Sequence, residues 1–227
     1  MGGGLPVVSI GFVRAKRTAA AVATMAVLGS AAWLLPAAAH AAPPAAVDLW
    51  TVPTAPSDSA TLIVAYSFGN RLAPGTDSTR TIGEPGPVNE ALAAAVVATR
   101  GDRAIPVYAQ TEIARVLRDR YGLTDVISID PDRAADGTLV YLSTDGVAAK
   151  VAELRGGAVT SDAAAVVAFQ DHLWRATRTT AKRGFTAFAP AGVAMPAEYD
   201  PQSGQPWTTG PLVYLPTDFA GRLALLK

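Results

Sequence analysis

The apolar positions of this chain fall into short unbroken runs, separated by stretches in which apolar and polar residues mix. Ala60 to Phe68 is one such run. Ile105 to Ala109, Val126 to Ile129, Ala163 to Phe169 and Phe185 to Ala189 are the others. Each has the length of a strand, and none shows the strict alternation of a half-exposed one. Between them lie segments with helical spacing. These are Val88 to Arg100, Thr111 to Tyr121 closed by Gly122, Thr144 to Leu154 ended by Gly156-Gly157, and His172 to Arg183. Buried strands alternating with helices predict βαβ units around a mainly parallel sheet covered on both faces. The fold class is therefore α/β, a Rossmann-like three-layer sandwich. Thr138 to Leu142 offers a short extra strand. Gly69 to Pro87 is a long polar loop, a length that in compact domains often carries function. The tail from Pro190 to Pro216 is rich in Pro and Gly and reads as irregular. Thr217 to Leu226 is expected as a closing helix, and no internal repeat is present.

The N-terminus has a different pattern. Arg14, Lys16 and Arg17 form a positive cluster, and an apolar stretch from Thr18 to Leu35 follows it. Pro36 breaks that stretch, and Ala39-His40-Ala41 offers a small-residue cleavage site. Residues 1–41 thus read as an export signal, with a retained membrane anchor as the alternative. Residues 42–59, rich in Pro, Ala and Ser, read as a linker, and 60–227 as one α/β domain with an irregular tail. The expected location is secreted or extracytoplasmic, with membrane attachment only if the N-terminal segment is kept. Removing 1–41 takes away three cations and no anions. That converts a balance of 19 basic and 19 acidic residues into a slight acidic excess. Such a surface is not built for nucleic acid. The absence of cysteine closes off disulfides, thiolate metal sites and a cysteine nucleophile.

Motif searches remove the easy enzyme assignments. There is no G-x-x-x-x-G-K-[ST], no G-x-G-x-x-G after Phe68 and no G-x-S-x-G elbow. One histidine beyond residue 41, with no cysteine, does not make a zinc site. What remains is a set of polar residues at strand-to-helix junctions, where open α/β sheets place ligands. Asp171-His172-x-x-Arg175 puts a histidine and an arginine on one face of a helix start, with Asp171 as its cap. An arginine fork beside free helix N–H groups suits an anion. The same residues also read as a local turn and an arginine paired with a nearby carboxylate. Glu112 opens the helix after the second strand, as a ligand group or simply as a favourable charge on the helix dipole. Ser143-Thr144 opens the next helix, and Gly69-Asn70 follows the first strand. Four such junctions converge on one crevice.

In this order the motifs resemble a bacterial domain-of-unknown-function family typified by SanA, ElyC and YdcF. The resemblance runs over roughly Thr61 to Pro190. It rests on Glu112-x-x-x-x-Leu117, Ser143-Thr144, and His172-Leu-Trp-Arg175-Ala176 followed by Gly184 and Phe185 to Pro190. Two departures stand out. Tyr108-Ala109-Gln110 replaces a Ser-Gly-Gly turn, and Tyr141-Leu142 stands where the family has an acidic residue. The resemblance implies a Rossmann-like domain, exported or membrane-anchored, linked to barrier function and to peptidoglycan or envelope-carbohydrate metabolism. For YdcF-like members it also implies S-adenosylmethionine as a cofactor.

Three function classes follow. The first is an exported domain that binds an anionic small molecule or envelope precursor, with Arg175, Ser143, Thr144, Gly69 and Asn70 as ligand contacts. If it has catalysis, His172 is the proton carrier, because its ordinary pKa lies near neutrality, and Glu112 orients it or acts as a base. The second is a non-catalytic envelope scaffold or binding protein on the same fold, favoured by the missing Ser-Gly-Gly turn. The third, a secreted hydrolase with a serine nucleophile, has no defensible Ser–His spacing in the sequence.

Overall fold

The computed structural model describes residues 48–226, so the export signal and the first part of the expected linker lie outside the described residues. The elements run in chain order: β1 (Thr54–Ala55), β2 (Leu62–Ala65), α1 (Gly86–Arg100), β3 (Val107–Gln110), α2 (Thr111–Tyr121) and β4 (Ile127–Ile129). They continue with β5 (Asp132–Arg133), β6 (Leu139–Val140), α3 (Thr144–Arg155), β7 (Ala163–Val167), α4 (Gln170–Lys182), β8 (Thr186–Pro190) and α5 (Pro211–Ala224). Six strands form one sheet in the order β1-β8-β7-β2-β3-β4, and every pairing is parallel. β5 and β6 make a separate antiparallel pair.

The unbroken apolar runs have a simple cause. Successive residues of a strand point to opposite faces, and here both faces are covered. Ile63, Ala65, Val107, Ala109, Ala165 and Val167 face a layer containing Leu92 and Val96 of α1 and Ile113 and Leu117 of α2. Leu62, Val64, Tyr108, Ala164 and Val166 face Val147 and Val151 of α3 and Ala176 of α4. The chain is thus an α/β three-layer sandwich of the Rossmann-like kind.

The strand order sets where a site can form. From β2 the chain steps outward through β3 to β4. It then crosses back to β7, on the other side of β2, and continues to β8 and α5. The reversal leaves a crevice beyond the carboxyl ends of β2 and β7, the switch point at which doubly wound sheets bind ligands.

Three boundaries differ from the sequence expectation. Thr54–Ala55, within the stretch read as linker, adds an edge strand that pairs with Ala189 and Pro190. Helix α4 begins at Gln170, and Asp171 does not cap it: its carboxylate accepts a 2.6 Å bond from the Tyr199 hydroxyl. Helix α5 begins at Pro211 and runs through Pro216. Proline suits the first position of a helix, but at an interior position it reads as a stop, which is why the sequence places the start too late.

The tail is tied down rather than loose. Asp200 accepts two bonds from Arg71, at 2.8 and 3.1 Å, and Gly204 N–H bonds Asn70 O at 2.7 Å. Tyr199 packs edge-on against Phe68 and Phe169. Arg222 of α5 then docks the closing helix. Its guanidinium donates to Asp218 Oδ2 at 2.6 Å, to Leu49 O at 2.7 Å and to Asp171 O at 2.9 Å. Arg222→Ala removes one of the two guanidinium partners of a buried carboxylate and the side-chain donor to Leu49 O and Asp171 O. Unfolding in denaturant is expected to show a loss of about 2–4 kcal/mol, with the amides of α5 exchanging first.

Candidate functional site

A cavity of about 530 Å³ occupies the switch-point crevice. That is ample for a small molecule. Tyr66, Ser67 and Phe68, just past β2, form its floor with Gln110 at the end of β3. Tyr141, Leu142, Ser143 and Thr144 supply the entry to α3, and His172 and Arg175 the first turns of α4. The returning tail closes it with Gln205, Trp207, Thr208, Tyr214 and Thr217.

Of the residues singled out in the sequence, His172, Arg175, Ser143 and Thr144 line this one cavity. Gly69 and Asn70 do not. Asn70 lines an adjoining cavity that shares Tyr141, Gln205 and Trp207 with the first. Gly69 has φ +71°, and a Cβ there would sit 2.5 Å from Ser203 Oγ and 2.8 Å from Thr208 Oγ1. Its glycine serves the close approach of the tail, not of a ligand. Glu112 is 1 % exposed and is not part of the cavity lining, and its Oε1 is buried without a hydrogen-bond partner. Burial pushes its carboxyl above the usual glutamate range, and its own N–H, Ser67 and Asn70 only partly offset this.

No hydrogen bond or ion pair joins Glu112 to His172 among the described residues, so Glu112 is not the group that orients the imidazole. The carboxylate that faces the ring is Asp218 of α5. Asp218 Oδ1 lies 3.8 Å from His172 Nδ1, accepts from Arg175 Nε at 2.8 Å and from the Tyr214 hydroxyl at 3.3 Å; Oδ2 takes Arg222. Burial alone would raise this carboxyl. The interactions with nearby His172 and with the Arg175 and Arg222 guanidinium groups outweigh burial and hold it far below the usual range. The sequence gives only a faint sign of it, an Asp218–Arg222 spacing of four that looks like an ordinary surface pair.

Arg175 is divided between structure and cavity. Nε holds Asp218, Nη1 donates to Thr144 Oγ1 at 2.9 Å, and Nη2 donates to the Tyr214 hydroxyl at 3.0 Å. A guanidinium has five N–H donors, so one on each terminal nitrogen is left over. Gly221 makes this position possible: a Cβ there would meet Arg175 Cδ at 2.7 Å. With His172 neutral, one carboxylate faces two guanidinium groups, and the cluster carries a surplus positive charge.

The features by which this fold holds a nucleotide-type cofactor such as S-adenosylmethionine are not assembled here. The open side of Gly69 is filled by Ser203 and Thr208. Strand β3 ends on Gln110 rather than an acid, and Gln110 Oε1 accepts from Ser67 N–H. The residues do not fit that cofactor. Among the described residues no helix is long and apolar enough to cross a membrane.

His172 is deeply buried, and desolvation pushes its pKa from 6.5 down to about 4. The groups facing it are Asp218, Arg222 and Tyr214 of α5, Arg175 of α4, Thr144 of α3 and Tyr66 beyond β2. The unfolded chain takes up this proton near pH 6.5 and the folded one only near 4. The stability that His172 supplies is therefore complete above pH 6.5 and is lost as pH falls towards 4, by about 3 kcal/mol. Glu112 works in the opposite sense over the acidic part of this range, because its raised pKa makes the folded state bind protons more readily. The His172 contribution is isolated by subtraction. The difference in unfolding free energy between the parent and His172→Gln is expected to shrink steadily from pH 7 to pH 4.5 in urea titrations.

Comparison with protein-family models, with curated proteins and with solved structures returns no match, so the fold and the site stand on this chain's own geometry.

Proposed function

We propose that this chain is an exported SanA/YdcF-like envelope domain that binds a small, hydroxyl-rich anionic molecule, of the kind found among envelope carbohydrates and peptidoglycan precursors. The observation that carries the proposal is the convergence of Ser143, Thr144, His172 and Arg175 on the one cavity at the switch point. The chemistry of the lining supports the ligand class. Ser67, Gln110, Tyr141, Ser143, Thr144 and Thr217 offer hydroxyl and amide groups that match sugar hydroxyls. Trp207 is 52 % exposed at the mouth and presents an apolar face for a ring to cover. The spare N–H groups of Arg175 and its surplus positive charge suit a carboxylate or phosphate on the same molecule. The positive cluster, apolar stretch and small-residue site at residues 14–41 support export.

Titration calorimetry of the full chain with an acidic sugar such as N-acetylmuramic acid, against its neutral counterpart N-acetylglucosamine, tests this. Saturable binding is expected for the acid, and binding about tenfold weaker for the neutral sugar. Trp207→Ala and Gln110→Ala are each expected to weaken the acid's binding by about tenfold, roughly the cost of one stacking or hydrogen-bonding contact. Equal binding of both sugars, or binding indifferent to both substitutions, overturns the proposal.

A further inference from the structure

Thr144 has a set of contacts that ligand binding alone does not require. Its Oγ1 lies 3.4 Å from His172 Nε2, and on the far side of the same ring Nδ1 lies 3.8 Å from Asp218 Oδ1. His172 Nδ1 is buried and has no hydrogen-bond partner. The proton positions follow from the chemistry of the neighbours. Asp218 is a carboxylate and can only accept, so the imidazole proton belongs on Nδ1. Nε2 is then bare and can only accept, and the group that faces it is the Thr144 hydroxyl. Arg175 Nη1 can only donate, and it donates to Thr144 Oγ1 at 2.9 Å. The hydroxyl therefore receives a bond from a cation and gives its own proton towards a neutral base. Both contacts favour an alkoxide at Thr144. Thr144 and His172 line the same cavity, so the hydroxyl is within reach of a bound molecule.

The surroundings fit nucleophilic attack on a carbonyl. Thr144 is the first residue of α3, at the entry from a loop into a helix. The first backbone bond of that helix is Val147 N–H to Ser143 O at 2.9 Å, and Gly146 N–H is taken by Ser143 Oγ at 3.1 Å. The N–H groups of Thr144 and Asp145 come before those bonds, at the positive end of the helix dipole. In hydrolases whose nucleophile sits at such an entry, the N–H of the following residue stabilises the oxyanion. The contacts of 3.4 and 3.8 Å are at the loose end of what resting nucleophile–base pairs adopt before substrate draws them together.

We propose that this site cleaves a small carboxylic ester, with Thr144 as nucleophile, His172 as its base and Asp218 as the residue that positions the imidazole. Thr144 Oγ1 bonds to the ester carbonyl carbon while its proton passes to His172 Nε2. The tetrahedral adduct collapses, the ester C–O bond breaks, and the departing alcohol takes the proton from Nε2. Water then attacks the acyl-threonine, gives a proton to Nε2, and the carboxylic acid leaves as Thr144 regains its hydrogen. No other reactant is needed. The substrate class is a short-chain ester of a hydroxyl-rich acid. This part rests on the ligand reading above, whereas the Thr144 chemistry does not.

The full chain, treated with a fluorophosphonate probe and mapped by mass spectrometry, is expected to carry one adduct, on Thr144. Hydrolysis of p-nitrophenyl acetate is expected to fall by about a thousandfold or more in Thr144→Ala and in His172→Ala, and to stay within about tenfold in Thr144→Ser. Nitrogen-15 NMR of the His172 ring is expected to show the proton on Nδ1. Asp218→Asn, in preparations that fold as judged by circular dichroism, is expected to shift that proton towards Nε2 and to slow hydrolysis about a hundredfold, which a purely structural aspartate does not do. Turnover in Thr144→Ala equal to that of the parent, or no adduct on Thr144, overturns the proposal. If acidic-sugar binding persists without any turnover, ester cleavage alone fails. If Thr144 is labelled but no acidic sugar binds, only the ligand class fails.

Discussion

The buried carboxylate of Asp218 is the interaction on which the site depends. A lone carboxylate at this depth would be protonated or would not fold. Two guanidinium groups and a tyrosine hydroxyl keep it ionised, and each of those partners does a second task. Arg222 ties α5 to Leu49 O and Asp171 O, which fixes the closing helix to the start of α4. Arg175 reaches from the same carboxylate to Thr144 and so joins α4 to α3. Tyr214 stacks edge-on against Phe68, carrying the contact to the end of β2. One charge thus ties together the elements that enclose the cavity.

The sheet was legible in the sequence because its driving force is local. Strands covered on both faces must be apolar throughout, and Leu62–Ala65, Val107–Ala109 and Ala164–Val167 are. Helix ends were legible where single residues decide them. Gly122, at φ +66°, closes α2 by bonding its N–H to Leu117 O, and Ser143 caps α3. The tail was not legible, because its order comes from distant partners. Asp200 meets Arg71 across 129 residues, and Gly204 N–H donates to Asn70 O. No periodicity within Pro190 to Pro216 could announce that Trp207 and Tyr214 would roof the crevice.

The same division explains the site. His172, Arg175, Ser143 and Thr144 were found because the rule that finds them is topological: polar residues just past buried strands meet at one edge. Glu112 obeys the rule for position but not for contact. It follows β3, one strand further from the switch point, and its carboxyl is buried outside the cavity lining. Asp218 breaks the rule entirely, since it lies in a helix after the last strand. Arg175 both pairs with a carboxylate, Asp218, and lines the cavity, because the five donors of a guanidinium let one side chain do both.

That sharing has a consequence for how stability and function are coupled. In a pocket whose polar groups are free, a ligand contact can be removed at little cost to the fold. Here Arg175 balances Asp218, Asp218 faces Nδ1 of His172, and His172 in turn faces the hydroxyl that accepts from Arg175. The circuit is closed within three helices. A substitution at any member changes the surroundings of the others, so the effects of paired substitutions on stability are not additive. Gly221 belongs to the circuit in effect, since any side chain there would press on Arg175, whose guanidinium holds Asp218. Trp207 stands outside it, so variation there changes the cavity lining while the buried charges remain balanced.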